Sequence, residues 1–460
     1  MTDSNSLDKK LTEDEDGGPK RSKKKQKKED SWQPEGNRDP FAMLDSLPEK
    51  KQQEIQRALH LFSLGPSLPK TLEQAKKHTY RFWDTQPVPR LGDSNVTPGP
   101  IVEVEISVRK EPFSLPQGFS WDTLDLSSPA VLRELCTLLN ENYVEEDDNT
   151  IRFDFSPDYL QWTLQPPNWL AHWHCGVRVD SNKKLVGFIA AVPADVRIYE
   201  TEKRMVQVKF LCVHKKLRLK RMTPVLIREL TRRVNQQGIH QAVYTARIVL
   251  PTPLSSCRYW HRQLNPRKLT EVAYPGVRQS TNLQRALKFN RLPQVPKTSS
   301  LRPMTEEDIE GIHSLLTENL RKFHLSPVWS LQDVEHWLLP RKNVIDTYVV
   351  EGDNGTLTGV VSFHTVSYKV LNHPVHTDLR VAVLLYAAST ATDPVDLMED
   401  TLVLAKSKGF DIFSALDVMD NKSFLEKLKF SVHDSSLHYY LYNWMCPNMS
   451  PDKVGLVLPN

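Results

Sequence analysis

Phe210-Leu211-Cys212-Val213-His214-Lys215-Lys216-Leu217-Arg218-Leu219-Lys220-Arg221-Met222-Thr223-Pro224 joins the end of an apolar run to the start of a helical pattern. The run 206–213 reads as a strand, and the spacing beyond it predicts a helix over 224–235, with Thr223 as its capping hydroxyl and Pro224 as its first residue. Between them stand Lys215, Lys216, Arg218, Lys220 and Arg221. A helix start presents unpaired N–H groups and a partial positive charge, so cations around it suit a pyrophosphate. A nucleotide-bearing acyl donor such as a CoA thioester matches that chemistry; a solvated basic loop matches the charges as well. No Walker-type or GxGxxG spacing accompanies the stretch, which disfavours the common nucleotide folds.

Upstream, the apolar alternation 185–192 completes a hairpin, giving hairpin, loop, helix. A second segment follows the same order: Tyr348-Val349-Val350-Glu351, the turn Asp353-Asn354-Gly355, Gly359-Val360-Val361-Ser362-Phe363, the run 381–386, and a helix over 396–408 closed by Gly409. The expected fold class is α/β (α+β) with two related halves, 46–292 and 293–460. Val131, Leu132, Leu135, Leu138 and Leu139 share a helical stripe, and the compact body is expected to begin there, near Trp121. Before it come a Pro-rich extended segment, 82–116, and a short amphipathic helix opening at Pro48, with Ile55, Ala58, Leu59 and Phe62 on one stripe.

Residues 1–45 pair an acidic block, 13–16, with a basic one, 20–28, and hold almost no aliphatic side chains, the composition of a disordered tail. A solvated arm or nuclear-type signal and a contact with ribosomal RNA or an anionic membrane both fit it. Across 460 residues, 60 Lys and Arg against 56 Asp and Glu leave only +4, so electrostatic partners must be engaged locally. Five cysteines in no CxxC pair argue against a disulfide framework and fit a reducing compartment. No apolar run approaches the ~20 residues of a membrane span, and the polar start lacks a signal-peptide core. A cytoplasmic, non-integral protein is expected.

His172-Trp173-His174-Cys175 and the pair Cys212 and His214 tempt a metal assignment, since alternate strand residues share a face. Without a second ligand pair they read as hydrogen-bonded structure, and no metal is expected. No Ser sits in a GxSxG elbow, so direct transfer is expected rather than a covalent enzyme intermediate.

Tyr80-Arg81-Phe82-Trp83-Asp84-Thr85-Gln86-Pro87-Val88-Pro89, Leu139-Asn140-Glu141-Asn142-Tyr143-Val144, the stretch 210–218, Cys257-Arg258-Tyr259-Trp260-His261-Arg262, Asn372-His373-Pro374 and Lys453-Val454-Gly455-Leu456-Val457-Leu458 together resemble the eukaryotic glycylpeptide N-myristoyltransferases, from about Pro48 to the C-terminus. The resemblance implies two fused acetyltransferase-like (GNAT) halves in pseudo-twofold relation, the first binding myristoyl-CoA as co-substrate, with no permanent cofactor, and the second supplying much of the peptide groove. It places Tyr80, Arg81, Phe82, Trp83, Phe210, Leu211, Cys212, Val213, Leu219, Met222 and Thr223 at the acyl-CoA site, with Arg218, Lys220, Arg221 and the start of the following helix holding the phosphates. The backbone N–H groups of Phe210 and Leu211 become an oxyanion hole, a device worth ~10²–10³ in rate. The proton acceptor is the terminal carboxylate, here Asn460, aided by Thr245. Tyr143, Val144, Glu146, Phe153, Phe155, Tyr259, His261, Asp434 and Leu458 fall where the family holds its peptide. A monomer is expected.

Several positions depart from the family pattern. Lys209 replaces the usual Asn, Arg247 a Gly and Leu219 a Ser; His364, Tyr368 and Val383 alter the expected groove, the Gly-rich loop reads Val432-His433-Asp434-Ser435-Ser436, and Pro459-Asn460 follow Leu458. If Lys209 faces the substrate amine, its ammonium repels the protonated form. The leading expectation is tetradecanoyl transfer to N-terminal glycine. Two alternatives stand beside it: a non-catalytic or weakly active paralogue that still binds acyl-CoA or ribosomes, and an acyltransferase acting on lysine side chains.

Overall fold

The computed structural model describes residues 69–92, 97–103, 108–143, 150–220, 222–274, 282–371 and 373–459, all within one compact unit, His60–Asn460. The charged tail and the expected helix from Pro48 to Phe62 lie outside the described residues.

Among the described residues fourteen strands form one mixed sheet. They are β1 (Phe119–Thr123), β2 (Ile151–Phe153), β3 (His174–Val179), β4 (Leu185–Ile198), β5 (Thr201–Val213), β6 (Ala242–Ala246), β7 (Ser255–Gln263), β8 (Leu301–Pro303), β9 (Leu325–Pro327), β10 (Ile345–Glu351), β11 (Leu357–Val370), β12 (Asp378–Ser389), β13 (Ile412–Leu416) and β14 (Ser431–Tyr442). The main path runs β1-β3-β4-β5-β6-β14-β7-β13-β12-β11-β10-β8. Residues 185–192 are all buried, which is why β4 reads as a continuous apolar run rather than an alternation.

Two helices make the halves comparable. The long β4/β5 hairpin is followed by α1 (Met222–Asn235) and a parallel return to β6; the β11/β12 hairpin is followed by α2 (Pro394–Ser407) and a parallel return to β13. This repeat extends the expected one by a strand, since β10 corresponds to β3. Between the repeats the chain exchanges strands: β14 pairs with β6 of the first half, and β7 pairs with β13 of the second. One sheet therefore runs through both.

Three expectations need correction. The basic loop is a 3₁₀ turn, Lys215–Lys220, and α1 already begins at Met222, so Thr223 and Pro224 are its second and third residues rather than its cap and first. Pro is tolerated there because first-turn N–H groups have no helical acceptor. The body also begins well before Trp121: Ala75, Tyr80 and Val88 are buried, and the Tyr80 hydroxyl donates to the Val249 carbonyl at 2.6 Å. Finally, His172 lies in the 3₁₀ turn Ala171–Trp173 and only His174 enters β3, where its Nε2 is 3.0 Å from the Leu164 carbonyl. The two do not share a strand.

Candidate active site

The parallel contact between β5 and β6 lasts only two pairs, Val206 with Ala242 and Gln207 with Val243, after which the strands part. The cause of the bend is visible in β5. Phe188 pairs with Cys212 and Ala190 with Lys209, so Phe210 and Leu211 together oppose the single residue Ile189, and Phe210 has φ 51°. Such a bulge kinks its strand and takes backbone N–H groups out of regular register. A left-handed aromatic residue is uncommon, and its strain is held by packing: Phe210 is buried against Tyr143 and Phe155, with ring centroids 5.6 and 5.5 Å away.

The wedge so opened is a cavity of about 550 Å³. Its inner wall is apolar, from Ile189, Val206 and Val208 on the strands to Ile227, Leu230 and Val234 on α1. Thr223 and Pro224, at the start of α1, line it together with Tyr80, Arg81, Phe82 and Trp83. Trp83 stacks on Tyr244 at 5.9 Å, and the Arg228 guanidinium lies 5.7 Å from the Phe82 ring centre. Phe210, Leu211 and Thr245 also line this space, as does Tyr442 from the C-terminal half. An apolar tube with a helix start beside it suits a molecule carrying a long hydrocarbon at one end and phosphates at the other.

Two family-model matches cover most of the chain: the N-terminal domain of myristoyl-CoA:protein N-myristoyltransferase over residues 101–257 and its C-terminal domain over 271–457. The chain belongs to the N-myristoyltransferase family. It is 58% identical over 413 residues to glycylpeptide N-tetradecanoyltransferase 2 of Danio rerio, spanning 90% of this chain and 84% of that one. The corresponding Bos taurus protein is 56% identical over 419 residues, with 91% and 84% covered. A Saccharomyces cerevisiae N-myristoyltransferase crystallised with bound myristoyl-CoA superposes with a TM-score of 0.80 at 35% identity, covering 83% of this chain and 99% of the yeast chain.

The other residues implied by the N-myristoyltransferase resemblance are distributed as follows. Cys212, Val213 and Met222 are buried but do not line the cavity; burial pushes the Cys212 thiol up to about 12. Arg218 donates from Nη2 to the Asn142 carbonyl at 2.6 Å, and the Lys215 N–H donates to Asn142 Oδ1 at 3.0 Å, tying the basic turn to the segment that ends in Tyr143. Only the backbone of Leu219 and Lys220 is described; Arg221, Val144, Glu146 and Asn460 lie outside the described residues.

Phe153 stacks on Phe155 at 5.1 Å and meets the tilted Tyr368 ring at 4.7 Å, and Tyr143 packs edge-on against both phenylalanines, so these three of the aromatic residues expected to grip peptide form one slab behind the Phe210 bulge. Across the sheet, His261 Nδ1 is 2.7 Å from Ser414 Oγ, and burial holds this imidazole near 3, hence neutral. His433, Asp434 and Ser435 loop out of β14 opposite the single residue Tyr259, leaving Asp434 exposed. His364 is buried, with Nδ1 3.3 Å from the Tyr159 hydroxyl, and Val383 is partly buried on β12.

Lys209 departs from expectation. It is 2% exposed, and its Nζ donates to the Pro459 carbonyl and lies 5.5 Å from the Trp337 ring centre. The ammonium, which would repel a protonated substrate amine if it faced one, is turned to the C-terminal segment instead. That segment has two further ties that sequence reasoning missed: the Tyr439 hydroxyl donates to the Leu456 carbonyl at 2.8 Å, and the Val457 N–H donates to the Tyr386 hydroxyl at 3.2 Å. No local pattern marks contacts between residues so distant in sequence.

Proposed function

We propose that this chain transfers a tetradecanoyl group from myristoyl-CoA to the N-terminal glycine amine of proteins. The observation that carries the reading is the wedge between β5 and β6, an apolar cavity with the Phe210 bulge in its wall and the start of α1 at its edge. In this scheme the hydrocarbon fills the wedge, the phosphates meet the α1 start and the basic turn, and the Phe210 and Leu211 N–H groups receive the thioester carbonyl oxygen as it gains charge. The neutral amine attacks the carbonyl carbon, the C–N bond forms, the C–S bond breaks, and the proton the nitrogen gives up ends on the departing CoA sulfur, which leaves as the thiol. Thr245 and the C-terminal segment serve the amine side, with acyl-CoA bound first.

The protein acts as a monomer in the cytosol; its five buried cysteines, none in a disulfide, support the reducing compartment. The basic block of the tail supports salt-sensitive contact with ribosomes or anionic membrane.

Full-length protein is incubated with myristoyl-CoA and three peptides: a Gly-starting octapeptide, its Ala-starting analogue, and an N-acetylated peptide containing lysine. Acylation of the first alone is expected. Preferential acylation of the lysine peptide would favour lysine acyl transfer, and acyl-CoA binding with no product would mark a non-catalytic paralogue.

A further inference from the structure

Lys209 stands where the two sides of the proposed reaction meet. It immediately precedes the Phe210 bulge, lines the acyl cavity, and sends its amino group away to the Pro459 carbonyl. Gln207, two residues earlier and therefore on the same face of β5, lines a small separate cavity together with Leu458, Pro459, Trp337 and Tyr386. The strand that bears the bulge and the C-terminal segment thus share one interface, and Lys209 supplies a direct hydrogen bond across it.

The surroundings make this an unusual place for an amine. Trp337 lies beside Nζ, Ala190 pairs with Lys209 across β4, and the nearby His336 and His364 are both held neutral by burial. A hydrophobic side chain of similar length would fill the volume without desolvating an amine, so simple packing does not account for lysine here.

Building on the acyl-transfer reading above, we infer that Lys209 is a positioning residue that fixes the spacing between the Phe210 bulge, which receives the acyl carbonyl, and the C-terminal segment, which serves the attacking amine. Its effect falls on the transfer step rather than on acyl-CoA affinity, because its amino group is turned out of the cavity to Pro459 and the apolar lining residues Ile189, Val206, Val208 and Ile227 and the basic turn are unchanged in its variants.

The test compares full-length wild type with Lys209→Met, which keeps the length and removes the donor, and Lys209→Gln, which keeps a neutral donor on a shorter stem. Activity on the Gly-starting octapeptide, myristoyl-CoA affinity, thermal stability and hydrogen exchange over residues 450–459 are measured. For Lys209→Met the expected result is a fall of about tenfold or more in kcat, since ~1 Å of misplacement can cost ~10²-fold. Myristoyl-CoA affinity should stay within about twofold, the melting temperature should be equal or higher, and exchange in the C-terminal segment should be faster. Lys209→Gln should lie between the two. The inference is overturned if Lys209→Met turns over like wild type, or if it loses activity and thermal stability together. Failure of wild type itself to acylate the peptide would instead count against the acyl-transfer reading.

Discussion

Glu229 and Arg232 form a two-bond ion pair inside α1, Nε to Oε2 at 2.9 Å and Nη2 to Oε1 at 2.6 Å, with the carboxylate fully buried. Arg233 adds a bond to the same oxygen at 2.9 Å, and the Phe113 N–H donates to Oε2 at 3.1 Å. The arginines reach outward to the Lys110 and His172 carbonyls, so this cluster fastens the helix that walls the acyl cavity to the segments around β1.

Replacing Glu229 by Ala would leave two buried guanidinium groups without a counter-charge. The expected loss is about 3–5 kcal/mol in denaturant unfolding at neutral pH. Burial by itself raises the Glu229 pKa, but the hydrogen bonds from Arg232 and Arg233 outweigh it and hold the carboxyl below its usual range. The stability this contributes is present above the unfolded carboxyl's pKa and lost as pH falls through the folded one. The gap between wild type and Glu229→Ala should therefore narrow on acidification below about pH 4.

Acyl-CoA affinity should depend on the basic turn. The double reversal Arg218→Glu with Lys220→Glu removes two cations that the proposed scheme assigns to the phosphates, each charge-assisted bond being worth about 1.5–3 kcal/mol, so myristoyl-CoA should bind at least about 10²-fold more weakly by calorimetry. Because Arg218 also holds the Asn142 carbonyl, Arg218→Ala alone should disturb peptide use as well. An unchanged affinity for the double variant would place the phosphates elsewhere.

How far the sequence could be read differs residue by residue. The strand-to-helix passage 210–224 was legible because a β period gives way to a helical one across a charged turn. Its decisive detail was not: nothing in Lys209-Phe210-Leu211 announces a left-handed residue, a task usually given to glycine. Thr223 was misread because cap chemistry is degenerate within a turn, and the 3₁₀ segment already leads into α1. The burial of Tyr80 depends on Val249, and the place of Lys209 depends on Pro459; both are long-range contacts with no local periodicity. The exchange of β7 and β14 between the halves is invisible for the same reason.

Arg247 is exposed at the end of β6, where the family pattern has glycine. Burial dominates the proton affinities of Tyr143, Tyr259, His261 and His433, and the Arg247 charge acts on all four, lowering each. That positive field reaches the space between the aromatic slab and the β14 loop, where it disfavours an incoming ammonium. Arg247→Gly should raise kcat/KM for Gly-starting peptides about three- to tenfold, the factor given by ~1 kcal/mol. The gain should shrink toward unity in ~1 M salt, where screening acts within about 3 Å. A gain independent of salt would point to a steric rather than an electrostatic effect.

Lys209 gives the clearest pH signature. Burial lowers its pKa from 10.5 to about 7, so between these values the unfolded chain binds a proton that the folded chain does not. Stability must then rise with pH across that window, and the cost of burying the amine is felt in full below about pH 7. Among the described residues the groups facing it include no carboxylate: His336 and His364 are neutral, at about 4 and 3, beside the Trp337 ring and the Pro459 carbonyl. Lys209→Met removes the titration and leaves one carbonyl without its donor. The variant should therefore melt several degrees above wild type at pH 6.5, and the difference should fall steadily between pH 7 and pH 10 as the wild-type lysine stops opposing folding. A constant difference across that range, or a variant less stable than wild type at pH 6.5, would show that the amine is not desolvated in solution and that its bond to Pro459 outweighs the cost of burial.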